Sequence, residues 1–176
     1  SIEASNYFYR PMYFLSLWLD GWLFGLNPLG YHLHALVLLL ASGLVLVELI
    51  RRLSQDSLWA WLAGGLLVLS PVATSTGAWL SAAHLDLLGG VLYLSSLLAF
   101  VRYRQSGSRG WYLISLALAV ASLLSKEAMV TLPLVLLIVD RTIGRSQRER
   151  RWSLLPFLPF FGILAAYLAL RTYMLD

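Results

Sequence analysis

Tyr31-His32-Leu33-His34-Ala35-Leu36-Val37-Leu38-Leu39-Leu40-Ala41-Ser42-Gly43-Leu44-Val45-Leu46-Val47-Glu48-Leu49-Ile50-Arg51-Arg52 is the stretch that decides what kind of chain this is. From Tyr31 to Ile50, at a rise of 1.5 Å per residue, a helix would be about 30 Å long, the thickness of a bilayer's hydrocarbon core. In lipid every backbone N–H and C=O must find a partner inside the segment, and for a single run of this length only a helix does that. Glu48 near its end stands at helical spacing from Arg51 and Arg52, so ion pairing accounts for it. The two arginines also orient the helix. Basic residues collect on the cytoplasmic side, so the span runs from outside to inside.

The rest of the chain fits that environment. Its 176 residues are 59% hydrophobic and 12% charged, against about 45–50% apolar in soluble domains. Apolar runs separated by short polar loops predict an all-α, polytopic transmembrane helical bundle of about six membrane segments plus an interfacial helix. Residues 1–176 read as one transmembrane domain, with an outer loop and interfacial helix over 1–30 and the bundle over 31–171. The chain opens on Ser1 with no initiator Met and no signal-peptide pattern, so it reads as an excerpt of a longer protein. Cysteine is absent, which removes disulfides and thiolate metal ligands.

The net charge of +4 matters less than its layout. Arg51, Arg52, Arg102, Arg104, Arg109, Arg141, Arg145, Arg148, Arg150 and Arg151 fall in three loops, which the positive-inside rule makes cytoplasmic. The run from Arg145 to Arg151 is the kind of juxtamembrane cluster that meets anionic lipid, and no nucleic-acid partner is expected. Arg10, Lys126 and Arg171 are the cations outside those loops.

Upstream of the decisive stretch, Pro11 suits the first turn of a helix. Met12 to Leu26 carries Ser16 and Asp20 one turn apart, and Trp18 and Trp22 one turn apart, a pattern suited to a helix lying in the interface or packed under a loop, with its indoles at headgroup level. Asn27-Pro28-Leu29-Gly30 reads as a turn. Downstream, Leu58 to Ser75 runs outward, with Gly64-Gly65 for close helix contact and Pro71 bending or ending it. Leu85 to Val101 returns. Between Trp111 and Asp140 the chain leaves the cytoplasmic side and comes back in two helices of about 15 residues, roughly 22 Å each. Leu154 to Leu170 is the last outward span.

The tip of that short hairpin is Ser125-Lys126-Glu127. An ionised side chain between apolar runs is costly unless it has water or a partner, so this pair marks a cavity or a lowered interface. Lys126 suits the role of a phosphate-holding point charge, and Arg10 that of a guanidinium fork. Against that stands a plain helix start, with Ser125 as N-cap and Glu127 in the first turn. Pro133 cannot donate to the carbonyl of Met129, leaving an acceptor near the pair unless Thr131 fills it. Asp86 shares a helix face with Gly90 and Tyr93. Asp86, His84, Glu127 and His32 are the candidates for lining an outer cavity together with Arg10 and Lys126. His84 and Asp86 point to nearly opposite sides of a helix, and His32 has a satisfied interfacial histidine as its simpler account. No ligand cluster at metal spacing and no phosphate-cradling glycine loop is present.

Tyr9-Arg10-Pro11, Asn27-Pro28-Leu29-Gly30-Tyr31-His32-Leu33, Trp79-Leu80-Ser81 with Asp86-Leu87-Leu88, and Leu124-Ser125-Lys126-Glu127 with Thr131-Leu132-Pro133 occur in this order. Together they resemble the membrane domain of GT-C fold glycosyltransferases, most of all the O-mannosyltransferases that carry tetratricopeptide repeats and their bacterial relatives. The resemblance runs from about Tyr7 to Arg171. It departs from the family where Trp79-Leu80-Ser81 is followed by Ala82-Ala83-His84-Leu85-Asp86, with no arginine and one residue more than the usual Arg-x-Asp, and where Ala35 and Leu39 replace the polar residues common after Tyr-His-Leu, although His34 is present.

The resemblance implies an enzyme that transfers a sugar, mannose among the candidates, from a polyprenyl-phosphate carrier to a protein or glycan acceptor. Transfer would be inverting and on the periplasmic or luminal side, in a bacterial inner membrane. It places the catalytic acid on an outer loop before Ser1, so no catalytic residue is assigned within the chain and Glu3 does not take that role. Lys126 and Arg10 would hold the donor phosphate. The lipid bilayer is the expected surroundings, no bound cofactor is expected beyond the lipid-linked donor, and metal dependence stays open. The competing class is a non-enzymatic transporter or assembly module.

Overall fold

A computed structural model describes the backbone of residues 10–70, 80–146 and 154–175, with side chains described for these except at 80–85, 128, 144–146 and 174–175. The described residues are helical, with no strand among them. In order they form α1 (Pro11–Phe24), α2 (Pro28–Ser54), α3 (Ser57–Leu69), α4 (Leu80–Ser106), α5 (Arg109–Leu123), a 3₁₀ turn (Glu127–Thr131), α6 (Leu132–Ser146), a second 3₁₀ turn (Leu155–Phe157) and α7 (Leu158–Leu175). Among the described residues three stretches, Pro28–Ser54, Asp86–Ser106 and Leu155–Tyr173, are long and apolar enough to cross a membrane, while Ser57–Leu69 and Arg109–Leu123 are shorter apolar helices. The protein is thus an all-α polytopic membrane bundle, and the described residues hold three candidate spans of the six expected.

Local chemistry sets several boundaries differently from the pattern of apolar runs. Asn27 does not merely turn the chain: its side chain accepts the Leu29 N–H at 3.1 Å and starts α2 at Pro28, three residues before Tyr31. Asp56 caps α3 by accepting from Leu58 and Trp59, as an N-cap carboxylate should. The helix it starts ends at Leu69; the expected bend at Pro71 and the basic run from Arg148 to Arg151 lie outside the described residues.

The helices pack through small residues. α4 is the central element, with α2 and α5 its most extensive neighbours, and α3 packs on α2. Gly43 and Gly64 face each other across α2 and α3: a Cβ on Gly64 would lie 2.9 Å from the Gly43 carbonyl oxygen, whereas one on Gly65 would meet nothing within 4 Å. Only Gly64 of the expected pair makes the close contact. Ser96 and Ser115 cross-bond between α4 and α5, each hydroxyl donating to the other residue's carbonyl at 2.8–2.9 Å. In a lipid environment such bonds and close backbone approach replace the hydrophobic force that holds soluble bundles together. The apolar core sits around Phe100, Phe157 and Phe160, whose rings meet at 5.3–5.9 Å.

α1 is built inside out relative to a soluble helix. Its buried residues are Ser16 and Asp20, while Trp18 and Trp22 are 68% and 74% exposed. That is the arrangement expected where the outside is lipid and the polar groups must find protein. At one end of the bundle Glu48 takes Arg51 at 2.5 Å and Arg52 at 2.6 Å, with Arg102 at 3.5 Å. Arg104 forms a buried pair with Asp140 there, its Nη2 donating at 2.9 Å.

Candidate functional site

The opposite end of the bundle gathers the remaining charges. α5 stops at Leu123, and Ser125 turns back on it, donating its hydroxyl to the Ala121 carbonyl at 2.8 Å. Ser125 therefore does not cap the next element. Lys126, with extended backbone, leads into the 3₁₀ turn without a side-chain cap, and Glu127 is its first residue. The Met129 carbonyl accepts from the Leu132 N–H. Pro133 sits in the first turn of α6, where no N–H is needed, so no acceptor is left open beside the charged pair. Thr131 instead pairs with the Tyr93 hydroxyl at 3.3 Å.

Two features bring the tip against its neighbours. Gly89 of α4 leaves room for it, since a Cβ there would lie 3.2 Å from Met129 Cε and 3.6 Å from Lys126 Cβ, and its carbonyl accepts from Ser122 at 3.2 Å. The Leu124 carbonyl, left over at the end of α5, accepts the Met12 N–H at 3.4 Å. Two helix-terminal groups that would lack partners thus satisfy each other and bring Arg10 to the tip.

The result is two adjacent ion pairs. Arg10 Nη2 donates to both Glu127 oxygens at 3.1 and 2.8 Å, each side chain less than one-fifth exposed. Arg171 Nη2 approaches Glu127 Oε1 at 4.0 Å. Burial pushes the Glu127 carboxyl up, but its own backbone N–H, the Arg10 hydrogen bond and the charges of Arg10 and Arg171 outweigh that and hold it below the usual carboxylate range. Lys126 Nζ pairs with Asp86 Oδ1, and here both side chains stay about one-third exposed.

Asp86 lines a cavity of about 280 Å³ between α2, α3, α4 and the hairpin tip, and Gly90 and Tyr93 line it too. Arg10, Lys126 and Glu127 are not among its lining residues. The single cavity expected to hold Arg10, Lys126 and Asp86 is therefore divided: Glu127 draws Arg10 to one side, and Asp86 joins Lys126 to the other. His32 is exposed, with no hydrogen bond or ion pair to a described residue, and does not line this cavity. The side chain of His84 and all of Glu3 lie outside the described residues.

One pair escaped the sequence reading. His34 Nδ1 meets Asp20 Oδ1 at 2.6 Å, and the Asp20 side chain is 1% exposed. Asp20 and Ser16 on one face of α1 were the available signal; an interfacial position for the helix hid it. The Tyr31 hydroxyl adds a bond to the Gly25 carbonyl at 2.9 Å, and there is no room for a side chain at Gly30 against the Phe24 ring. The α1–α2 corner is thus closely fitted.

Known proteins resemble about four-fifths of the chain. Protein O-mannosyl-transferase TMTC2 of Homo sapiens is 31% identical over 143 residues, 78% of this chain and 17% of that protein. Protein O-mannosyl-transferase Tmtc2 of Drosophila melanogaster is 34% identical over 152 residues, covering 82% and 16%. Protein O-mannosyl-transferase Tmtc1 of the same fly is 29% identical over 150 residues, covering 84% and 17%. The chain spans about one-sixth of the length of these relatives. No solved structure matches. The family described as dolichyl-phosphate-mannose-protein mannosyltransferase matches residues 10–172, from the arginine that meets the hairpin tip to the end of α7. The chain belongs to that family of GT-C-like membrane glycosyltransferases.

Proposed function

We propose that this chain is membrane machinery of a mannosyltransferase that takes its sugar from a polyprenyl-phosphate carrier and passes it to a protein or glycan acceptor. The family match over 10–172 is the observation that carries the reading. The geometry supports it through the cations of the hairpin end. The departing lipid phosphate is a localised anion, and fixed cations that meet it lower the barrier. Lys126 is the residue suited to meet it, because its partner Asp86 is exposed enough to exchange. Arg10 is held in a fixed orientation by Glu127, and Arg171 adds a second guanidinium beside it. The base that activates the acceptor is not assigned to this chain.

We place the arginine-rich end in the cytoplasm and the Lys126 end on the periplasmic or luminal side, on the distribution of the ten arginines, of which Arg51, Arg52, Arg102, Arg104, Arg109, Arg141 and Arg145 lie in helices rather than in the loops expected. The relatives named above are from animals, so the expected bacterial inner membrane draws no support from them.

The test uses the full-length protein in vesicles with a labelled polyprenyl-phosphate mannose and, separately, a nucleotide-linked mannose. Transfer from the lipid donor alone, reduced about a hundredfold or more by Lys126→Ala, is the expected result. Transfer from the nucleotide donor, or a Lys126→Ala enzyme as active as wild type, would overturn it.

A further inference from the structure

An apolar groove of about 330 Å³ lies between α2 and α3. Leu40, Gly43, Leu44 and Val47 form its α2 wall, and Trp61 and Gly65 stand in its α3 wall. None of its lining residues is charged. Positions 40, 43, 44 and 47 are one helical stripe, and Arg51, four residues after Val47, continues that stripe by one turn. From Leu40 to Arg51 the stripe rises about 16 Å, close to half of a hydrocarbon core about 30 Å thick. The groove thus has the length of one leaflet's acyl chain, with a guanidinium at its end.

That guanidinium is short of counter-charge. Glu48 Oε2 accepts from Arg51 Nε at 3.0 Å and Nη2 at 2.5 Å, while Oε1 accepts from Arg52 at 2.6 Å and stands 3.5 Å from Arg102. One carboxylate serves three arginines, so the group carries two positive charges in surplus. Arg51 Nη1 and the buried Arg102 Nε have no hydrogen bond to a described residue. Asp56, the next carboxylate along the chain, is committed to the Leu58 and Trp59 N–H groups that open α3. Arg51 is more than half exposed, and an anion can reach it while Glu48 stays in place.

Any acyl chain of the bilayer can fill such a groove, so the head group decides which lipid stays. A choline or ethanolamine head brings a cation to a site that already has too many. A head whose only charge is its phosphate offsets the surplus, and a guanidinium fork matches phosphate oxygens. We infer that the α2–α3 groove and Arg51 hold an anionic glycerophospholipid of the leaflet at the arginine-rich end, one acyl chain against the Leu40–Val47 stripe and the phosphate on Arg51. Arg52 and Arg102 keep Glu48 neutralised when Arg51 turns to the phosphate. The site lies at the opposite end of the bundle from Lys126, and it goes beyond the transferase reading without depending on it.

The test is native mass spectrometry of the full-length protein in detergent, titrated with dioleoyl phosphatidylglycerol and, separately, with dioleoyl phosphatidylcholine. The first phosphatidylglycerol should bind several-fold more tightly than phosphatidylcholine. Arg51→Gln should weaken phosphatidylglycerol about fivefold, the worth of one basic residue beside an anionic head, and leave phosphatidylcholine nearly unchanged. A Cβ on Gly65 meets nothing within 4 Å, so Gly65→Leu fills the groove without pressing on backbone. It should weaken both lipids about tenfold by taking the place of buried methylenes. Arg109→Gln is the control, since it removes the same charge from α5, whose extensive contacts are with α4 and α7. It should bind phosphatidylglycerol as wild type does.

Thermal unfolding of Arg51→Gln without added lipid should match wild type, because an exposed ion pair contributes little. Equal binding of the two lipids, or wild-type phosphatidylglycerol binding in Arg51→Gln or Gly65→Leu, would overturn the inference. An equal loss in Arg109→Gln would do so too, by showing that diffuse charge attracts the lipid. A dimer that binds no lipid and falls apart in Gly65→Leu would give the groove to a second copy of the chain instead.

Discussion

Glu127 receives two hydrogen bonds from Arg10, a residue 117 positions earlier in the chain, at 3.1 and 2.8 Å. The contact joins the start of α1 to the tip of the α5–α6 hairpin. It also turns a pair of neighbours in sequence, Lys126 and Glu127, into members of two different ion pairs.

That contact makes stability depend on pH in a stated direction. Glu127 titrates below the ordinary carboxylate range in the folded protein. Its contribution is therefore complete above the unfolded-state value and is lost as pH falls through the lower folded value. Thermal unfolding in detergent should show wild type losing stability on the acid side of the ordinary glutamate range. Glu127→Gln should be less stable at neutral pH and flatter on that acid limb. Parallel curves for the two proteins would show that the carboxylate is not linked to folding.

Asp20, in the last turns of α1 beside the α1–α2 corner, should be sensitive to loss of its carboxylate. Its carboxylate is almost fully buried against His34, and Asp20→Ala leaves that imidazole facing a void. We expect a loss of about 1–3 kcal/mol, the range for an interrupted hydrogen bond to a charged group, read as a lower unfolding temperature. A shift within error would mean that α1 is held by its other contacts.

At the arginine-rich end, Asp140 is 2% exposed and Arg104 7%. Removing one member leaves the other buried without its counter-charge. Asp140→Ala should cost about 3–5 kcal/mol, while Arg104→Met with Asp140→Leu should recover most of it. If the double variant is no better than the single one, the pair supplies more than mutual neutralisation.

Gly64 and Gly65 should differ sharply under the same substitution. Gly64→Ala forces a methyl to 2.9 Å from the Gly43 carbonyl oxygen, and Gly65→Ala meets open space. The first should destabilise the bundle by about 1–3 kcal/mol, the usual range for overpacking. The second should be neutral or slightly stabilising through helix propensity. Equal effects in urea or thermal unfolding would contradict the close approach of α2 and α3.

Much was legible in the chain itself. An apolar run with arginines at its end can be little else than a membrane helix, because lipid leaves the backbone no other partners. Glu48 with Arg51 and Arg52 was equally readable, since helical spacing fixes those neighbours. The length between Trp111 and Asp140 likewise required a short hairpin, and the helices found, Arg109–Leu123 and Leu132–Ser146, flank a turn containing Lys126 and Glu127. Spacing along one chain carries all of this.

What only the tertiary structure decided is which charge meets which. Arg10, Asp86, Lys126 and Glu127 could be collected at one end from sequence, but a collection of ions does not specify its pairs. The pairing came from backbone events far from the charges in sequence: the Leu124 carbonyl accepting the Met12 N–H, the missing side chain at Gly89, and the Asn27 cap that folds α1 back onto α2. These contacts have no periodicity for a sequence to display. They arise because unsatisfied helix ends and close backbone approach find their partners only once the helices are packed.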